Sequence, residues 1–381
     1  MIYLTYNDSP SGVYYSQVTD TCNYFNNTLK QPITLVALIS LRNFFESRKK
    51  IKSQYHNSIV LPMFPKQRNW KWNVFTLFFV CLFCNSKGVI ARGPFACSLA
   101  LKLKNSGLVK KVCFDARGAY TAELNEYTVV EDEGIKNTIE HLEKEVLFEA
   151  DFRLAISAAL VDYWKEKFGY IATNYVIVPC TLNSMIQVSL RDEQSISKTK
   201  EALGIKSNEI LLVYSGSAAG WQSFEVMDVF LYNFFVAKPN VKVLFLSPSL
   251  PSEFMTAKQF PKNIIQRWVS PNEVEALLSA CDYGLILREF SITNKVASPT
   301  KFAEYLLSGL PVIISKNIGD FTDFVMQHHC GITLNEENGI SEALQQNTLS
   351  ARQKMNHLAT TYFSKASYSK EYERLIKAIS A

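Results

Sequence analysis

The chain has 381 residues, 48% of them hydrophobic and 20% charged, which is enough apolar material for two domains with proper cores and too much for a disordered or fibrous protein. Forty basic against thirty-five acidic residues leave a formal charge of +5, too small a bias at this length to argue for nucleic acid. Phosphorylated small molecules stay open as ligands.

Met1-Ile-Tyr-Leu-Thr-Tyr has no basic region ahead of an apolar stretch and a cleavage site, so it reads as a strand and not as a signal peptide. The sequons Asn7-Asp-Ser and Asn26-Asn-Thr are then taken as chance. Cys22, Cys81, Cys84, Cys97, Cys113, Cys180, Cys281 and Cys330 sit in apolar segments rather than in a disulfide framework, the pattern of buried thiols in a reducing cytoplasm. Short β-branched runs are predicted as strands at 2–4, 33–39, 58–61, 88–91, 111–114, 152–156 and 175–178. Helical periodicity between several of them indicates a parallel α/β sheet.

Between Leu41 and Lys71 the basic residues are Arg42, Arg48, Lys49, Lys50, Lys52, Lys66, Arg68 and Lys71, against the single acid Glu46. Phe44, Phe45, Phe64, Trp70 and Trp72 are interleaved with them, so the stretch 42–72 suits peripheral contact with an anionic membrane. The same composition is that of a solvated loop and helix face, and a single-stranded RNA surface ranks behind both. The run Val74–Cys84 falls well short of the ~20 residues that cross a bilayer and is expected to be a buried helix, with Cys81 and Cys84 as core packing rather than a redox or zinc site. Two strand ends further on carry charge. Ala91-Arg92-Gly93 and Phe114-Asp115-Ala-Arg117-Gly118, followed by Glu123 and Glu126, place opposite charges at the sheet edge. A carboxylate there can orient a hydroxyl and Arg117 can meet a phosphate; equally, Asp115 and Arg117 can be a buried pair that only shapes the turn.

Pro179 closes the seventh strand, and the polar stretch from Asn183 to Asn208 is read as a linker with a short helix. Strands are predicted again at 210–214, 241–246, 283–287, 311–314 and 331–334, giving a second α/β domain, and the segment after Ala366 is an amphipathic helix. The division is 1–185, 186–365 and 366–381, the last packing back toward the first domain. A ligand is expected in a cleft between the carboxyl ends of the two sheets.

The most informative stretch runs from Arg288 through the loop to Ser298-Pro-Thr-Lys-Phe-Ala-Glu-Tyr-Leu-Leu-Ser-Gly309. Ser298 is the expected N-cap, Pro299 the first helical residue and Gly309 the stop. Unpaired N–H groups at that helix start, with its dipole, make a phosphate site. Lys301 and Glu304 share a face, where Lys301 can hold a phosphate and Glu304 can take two ribose hydroxyls. The same spacing is that of an exposed i,i+3 ion pair on an ordinary helix.

Ser298 to Ile313 closely resembles the donor-binding signature of family 4 glycosyltransferases, the large retaining group of GT-B fold. The resemblance takes in Pro10-Ser-Gly-Val-Tyr, Asp115-Ala-Arg-Gly118 and Tyr214-Ser-Gly-Ser217, and is nearest to bacterial enzymes that build capsule, O-antigen or other surface polysaccharides. It implies an α/β GT-B chain of two Rossmann-like, doubly wound domains facing a cleft. It further implies donor contacts from Gly12, Ser215, Gly216, Ser217, Arg288, Asn294, Lys295, Ser298, Pro299, Thr300, Lys301 and Glu304. Asp115, Arg117 and Lys301 would be catalytic, and Arg92, Arg117 and Glu123 would bind the acceptor. Position 296, where the family's first acid belongs, is Val296, with Glu289 and Asn294 the nearest replacements. Ala218-Ala-Gly-Trp-Gln222 stands where basic residues often follow the glycine turn, leaving the diphosphate to Arg288 and Lys295.

Neither Asp-x-Asp nor His-Glu-x-x-His occurs, so no metal or other cofactor is expected, and the leaving diphosphate falls to amides, Lys and Arg. The expectation is a cytoplasmic, membrane-peripheral, retaining hexosyltransferase that takes a nucleotide sugar and a lipid-linked glycan acceptor, without nucleic acid. Its rivals are a nucleotide-sugar epimerase of the same architecture and an idle nucleotide-sugar-binding scaffold.

Overall fold

The computed structural model describes residues 1–65, 67–127, 133–185, 190–217, 219–335, 339–340 and 343–380. The chain divides into two compact units, Met1–Met185 with Ser364–Ala381, and Ile186–Phe363. Lys66, Ala218 and the linker positions 186–189 lie outside the described residues.

The first unit is built on seven strands: β1 (Ile2–Tyr6), β2 (Thr34–Ile39), β3 (Ser58–Pro62), β4 (Gly88–Arg92), β5 (Lys111–Asp115), β6 (Phe152–Ala155) and β7 (Tyr175–Ile177). They form one parallel sheet in the order β3-β2-β1-β4-β5-β6-β7. The order reverses direction between β1 and β4, so the chain diverges at their carboxyl ends and leaves a crevice there. The β1–β3 half is covered by a core of Val18, Phe25, Leu35, Ile51 and Tyr372, which includes the closing helix Ser369–Ser380. That helix lies so close to β4 that a Cβ on Gly88 would sit 2.3 Å from the Ile379 carbonyl oxygen. Lys365, just before the helix, is fixed by a buried ion pair with Asp20 at 2.5 Å and by the carbonyls of Ser16 and Leu182 at 2.9 Å.

The second unit has six strands, β8 (Ile210–Ser215), β9 (Val241–Leu246), β10 (Ile264–Arg267), β11 (Tyr283–Ile286), β12 (Val312–Ile314) and β13 (Gly331–Thr333). They run parallel in the order β10-β9-β8-β11-β12-β13, with the reversal between β8 and β11. Gly284 in β11 leaves room for the ring of Tyr305, which would come within 2.3 Å of a Cβ there.

Two expectations are corrected. The edge strand β10 is absent from the sequence reading, and the helix Asn73–Cys84 is not buried. Asn73, Leu77, Val80 and Cys81 face inward, while Phe75, Phe78, Phe79, Leu82 and Phe83 are exposed. Trp70 of the 42–72 stretch faces inward too, packed against Phe95. All eight cysteines are free thiols, seven buried and Cys84 half-buried.

Candidate functional site

Sheet order places the candidate residues before any chemistry is considered. In the second unit the switch between β8 and β11 puts the turn after Ser215 beside the segment after Ile286, and the helix Thr300–Leu307 starts over both. Its buried side, Phe302, Tyr305 and Leu306, packs inward, and it stops at Gly309, whose φ of +80° closes the end with Leu310 N–H donating to the Tyr305 carbonyl at 2.9 Å. The N-cap is Pro299 rather than Ser298, one residue later than expected, and no side chain caps it. Phe302 N–H donates to the Pro299 carbonyl at 3.1 Å, leaving the amides of Thr300 and Lys301 outside the helical bonding pattern.

Lys301 does not form the surface ion pair its spacing with Glu304 allows. Its side chain is buried, with 8% of the residue accessible, and its ammonium donates to Gln222 Oε1 at 3.0 Å and lies 4.1 Å from the centre of the Tyr214 ring. Gly216 beside it has φ +149°, a backbone conformation that favours glycine, and a Cβ there would stand 2.9 Å from Lys301 Nζ and push the ammonium aside. Arg288, at the end of β11, is buried as well, and its guanidinium donates to Asn294 Oδ1 at 3.2 Å and to the same Gln222 oxygen at 3.5 Å. Two buried cations thus converge on one neutral oxygen. Desolvation, and then the nearby Arg288 charge, push the Lys301 ammonium well below the ordinary lysine range, with Glu304 opposing. Glu304 is open to solvent on the helix, yet the protein mass around it raises its carboxyl and Lys301 lowers it. Two cationic side chains sharing one buried neutral oxygen concentrate positive potential there, which is the electrostatics an anion site needs.

The remaining donor-side candidates divide. Ser215 and Gly216 line the turn, but the Ser215 amide is spent on the Tyr305 hydroxyl at 2.9 Å, and the exposed Ser217 accepts the Tyr214 hydroxyl on its carbonyl at 2.5 Å. Asn294, expected as a donor-sugar contact, is fully buried; its oxygen receives Arg288 and its amide donates to the Glu289 carbonyl at 3.2 Å, so it positions Arg288. Val296 is buried packing and Lys295 and Glu289 are exposed. Ser298 and Pro299 are buried under the helix start and Thr300 is half-buried. Gln222, which joins the two cations, has no counterpart in the sequence reading.

In the first unit the reversal between β1 and β4 brings together Asp8, just past β1, and Arg92, at the end of β4, 3.5 Å apart. Asp8 was not among the sequence candidates. Its position beyond the strand at the switch point is the signal that would have found it. It is partly open, and burial raises its carboxyl while Arg92 lowers it. Asp115, expected as the acceptor-orienting carboxylate, is closed off completely: it accepts the Tyr3 hydroxyl, faces Arg117 Nη1 at 3.4 Å and Arg92 Nη1 at 3.7 Å. This is the buried pair that the sequence equally allows, with Asp115 holding two arginines in place. Arg117 also donates to Gln17 Oε1 at 3.2 Å and Cys180 Sγ at 3.1 Å, which ties it to the π-helical turn Tyr15–Thr19. Gly12 is exposed at the following helix start, and nothing lies within 4 Å of a Cβ placed there.

Glu123 is half-buried, and burial raises its carboxyl. Behind it Glu143 is wholly buried, accepts both the amide and the hydroxyl of Thr121 at 2.8 and 2.6 Å, and is raised by desolvation from 4.5 to about 7. The folded chain keeps that proton over an interval where the unfolded chain has lost it. Stability is therefore expected to fall as pH rises from about 4.5 to about 7, and Glu143→Gln should flatten the slope; urea unfolding at several pH values checks both.

Residues 249–372, about a third of the chain, match the family of glucosyltransferase 3-like C-terminal domains. No curated protein matches the sequence significantly. Among solved structures, the chain is similar to HepE of Anabaena in complex with UDP and glucose, at 12% identity and a TM-score of 0.71 over 99% of this chain and 100% of that one. It is also similar to the catalytic domain of starch synthase IV from Arabidopsis thaliana bound to ADP and acarbose (10%, TM-score 0.67, 100% and 99%) and to a UDP-N-acetylglucosamine 2-epimerase (11%, TM-score 0.57, 98% and 95%). At these identities the likeness establishes the fold: two parallel-sheet Rossmann-like domains of the GT-B type.

Proposed function

We propose that the chain is a metal-independent, retaining glycosyltransferase that moves a sugar from a nucleoside diphosphate sugar to a lipid-linked glycan during assembly of a bacterial surface polysaccharide, at the inner face of the plasma membrane. The observation that carries this reading is the convergence of buried Lys301 and Arg288 on the neutral Gln222 at the start of the Thr300–Leu307 helix. A diphosphate would bring negative charge to this pair of cations. It would be met by both cations and by the Thr300 and Lys301 amides, and the same groups would stabilise it as it leaves. Glu304, open on that helix, would take the ribose hydroxyls. The glucosyltransferase match over 249–372, with UDP in the HepE structure and ADP in that of starch synthase IV, supports transfer from a nucleotide sugar.

On the acceptor side, the partly open Asp8 beside Arg92 replaces Asp115 as the carboxylate that would orient the attacking hydroxyl. The donor sugar would meet the exposed Glu289 instead of an acid at Val296. The basic and aromatic surface within 42–72 suits the membrane that holds a lipid-linked acceptor.

Thermal shifts with UDP, GDP, ADP, CDP and CMP test the reading. One diphosphate should stabilise the wild type, and Glu304→Ala should weaken its binding by about 2–3 kcal/mol, the range for charged hydrogen bonds. No shift with any nucleotide would leave the donor reading without support. Turnover of a nucleotide sugar in the absence of acceptor, with the sugar inverted at one carbon, would select the epimerase reading that one fold neighbour raises. Binding without any turnover would select the scaffold.

A further inference from the structure

The helix Asn73–Cys84 is apolar on every side, a composition that water-soluble folds place in an interior. Here only one stripe, Leu77, Val80 and Cys81, faces the first unit, where the helix packs against Gly93–Asn105. The outer stripe follows helical spacing through Phe75, Phe78, Phe79, Leu82 and Phe83, and Phe79 and Phe83 are 60% and 88% exposed. Trp72, 56% exposed, extends the patch at its N-terminal end with its ring 5.8 Å from that of Phe75. Exposed contiguous aromatic surface of this kind marks a docking face.

The charge around it says what docks. From Ser47 to Phe114 the sequence holds thirteen lysines and arginines and no aspartate or glutamate. Arg68 and Lys71 stand exposed just before the helix and Lys87 just after it. A second copy of the chain seated on this face by two-fold symmetry would bring those cations against their own mates. Anionic lipid headgroups bring the opposite charge. Twelve residues at 1.5 Å each span about 18 Å, too short to cross the hydrocarbon core and suited to lying in its boundary, with Trp72 at headgroup depth. No described helix of the chain is long and apolar enough to cross a membrane.

We propose that the Asn73–Cys84 helix is an in-plane membrane anchor, its phenylalanine face sunk into the headgroup–acyl boundary of an anionic bilayer and its flanking Arg68, Lys71 and Lys87 on the phosphates. This deepens the lipid-linked-acceptor reading above, on which its purpose rests, and it adds an inserted element to the basic contact within 42–72. The exposed position of the face also means that replacing it leaves the core untouched.

The test is flotation of the full chain with phosphatidylcholine vesicles containing roughly one-third phosphatidylglycerol, and with phosphatidylcholine alone, at low and high salt. The wild type should float with the anionic vesicles, less so at high salt, and weakly with the neutral ones. Phe79→Asp with Phe83→Asp should lower partitioning roughly a hundredfold, while Phe79→Leu with Phe83→Leu retains most of it. Melting temperature and nucleotide-induced shift, read on the same samples, should be unchanged in both variants. They separate loss of the anchor from loss of the fold, and failure of the anchor from failure of the nucleotide-sugar reading. Equal flotation of the aspartate variant would overturn the proposal, and so would a wild type that ignores vesicles. A dimer that the aspartates dissociate, with no vesicle binding, would assign the face to a second copy.

Discussion

Lys301→Met is expected to weaken nucleoside diphosphate binding and to raise the melting temperature of the unliganded chain at the same time. The ammonium is buried, faces the like charge of Arg288, and has a neutral amide oxygen and the face of Tyr214 as its partners. Folding must strip its hydration, and the more distant Glu304 charge offsets only part of that cost, so an apolar side chain of similar length should stabilise the empty protein by about 1–3 kcal/mol. The bound anion recovers that cost and loses it in the variant. Affinity should drop by about 2–4 kcal/mol, roughly 30- to 1,000-fold in Kd. A lysine kept for packing would do the reverse, lowering the melting temperature when cut and leaving nucleotide affinity alone. Titration calorimetry and thermal melts on one pair of proteins settle the sign of each.

The same charge carries a pH signature. Because the ammonium's folded pKa lies well below 10.5, the unfolded chain binds the extra proton in the interval between the two values. Stability of the empty protein should therefore rise with pH across that interval as the buried charge is discharged. Diphosphate affinity should decline across it, before a free lysine would titrate, and the decline should be absent in Lys301→Met.

The strands were legible because parallel strands covered on both faces read as β-branched runs, and twelve such runs became strands. The thirteenth, Ile264–Arg267, is a sheet edge with two apolar residues and a half-exposed burial pattern, so little in its composition marks it. Composition misled on Asn73–Cys84 for the opposite reason: its residues are apolar, but burial depends on what tertiary structure lays over a face, and nothing in the described chain lies over this one. At the site, Lys301, Arg288 and Glu304 were readable from their place at a strand end and a helix start. Gln222 was not, since a neutral amide after a glycine turn has no chemical mark until two cations are seen to share its oxygen. Asp8 rather than Asp115 is the partly open carboxylate, and the sequence shows only that each stands at or just past a strand end, not which of them the strand order leaves open. β1 and β4 flank the reversal, whereas the Asp115 carboxylate points under the side chains of Tyr3, Arg92 and Arg117.

The burial of Asp115 between two arginines has a measurable consequence. Asp115→Ala is expected to lower the unfolding free energy by about 3–5 kcal/mol, the penalty for leaving a buried ion pair with one side missing. The side chain is fully inaccessible, and Arg92 and Arg117 are only 11% and 13% exposed, so water cannot take its place. After the substitution Arg92 keeps Asp8 at 3.5 Å, but Arg117 is left with the neutral groups of Gln17 and Cys180, and the Tyr3 hydroxyl, held well above its ordinary pKa by burial first and the aspartate second, loses its acceptor. The double variant Asp115→Ala with Arg117→Met should recover part of the loss, because the second change removes the charge that the first stranded. Urea unfolding midpoints of the two single variants and the double variant give the coupling directly. A carboxylate that instead faced an acceptor hydroxyl would show almost no change in midpoint and a large loss of transfer. In Asp8→Asn, where the carboxyl is partly open and held by one arginine, that second pattern is the expected one: near-native unfolding, retained nucleotide binding and lost transfer.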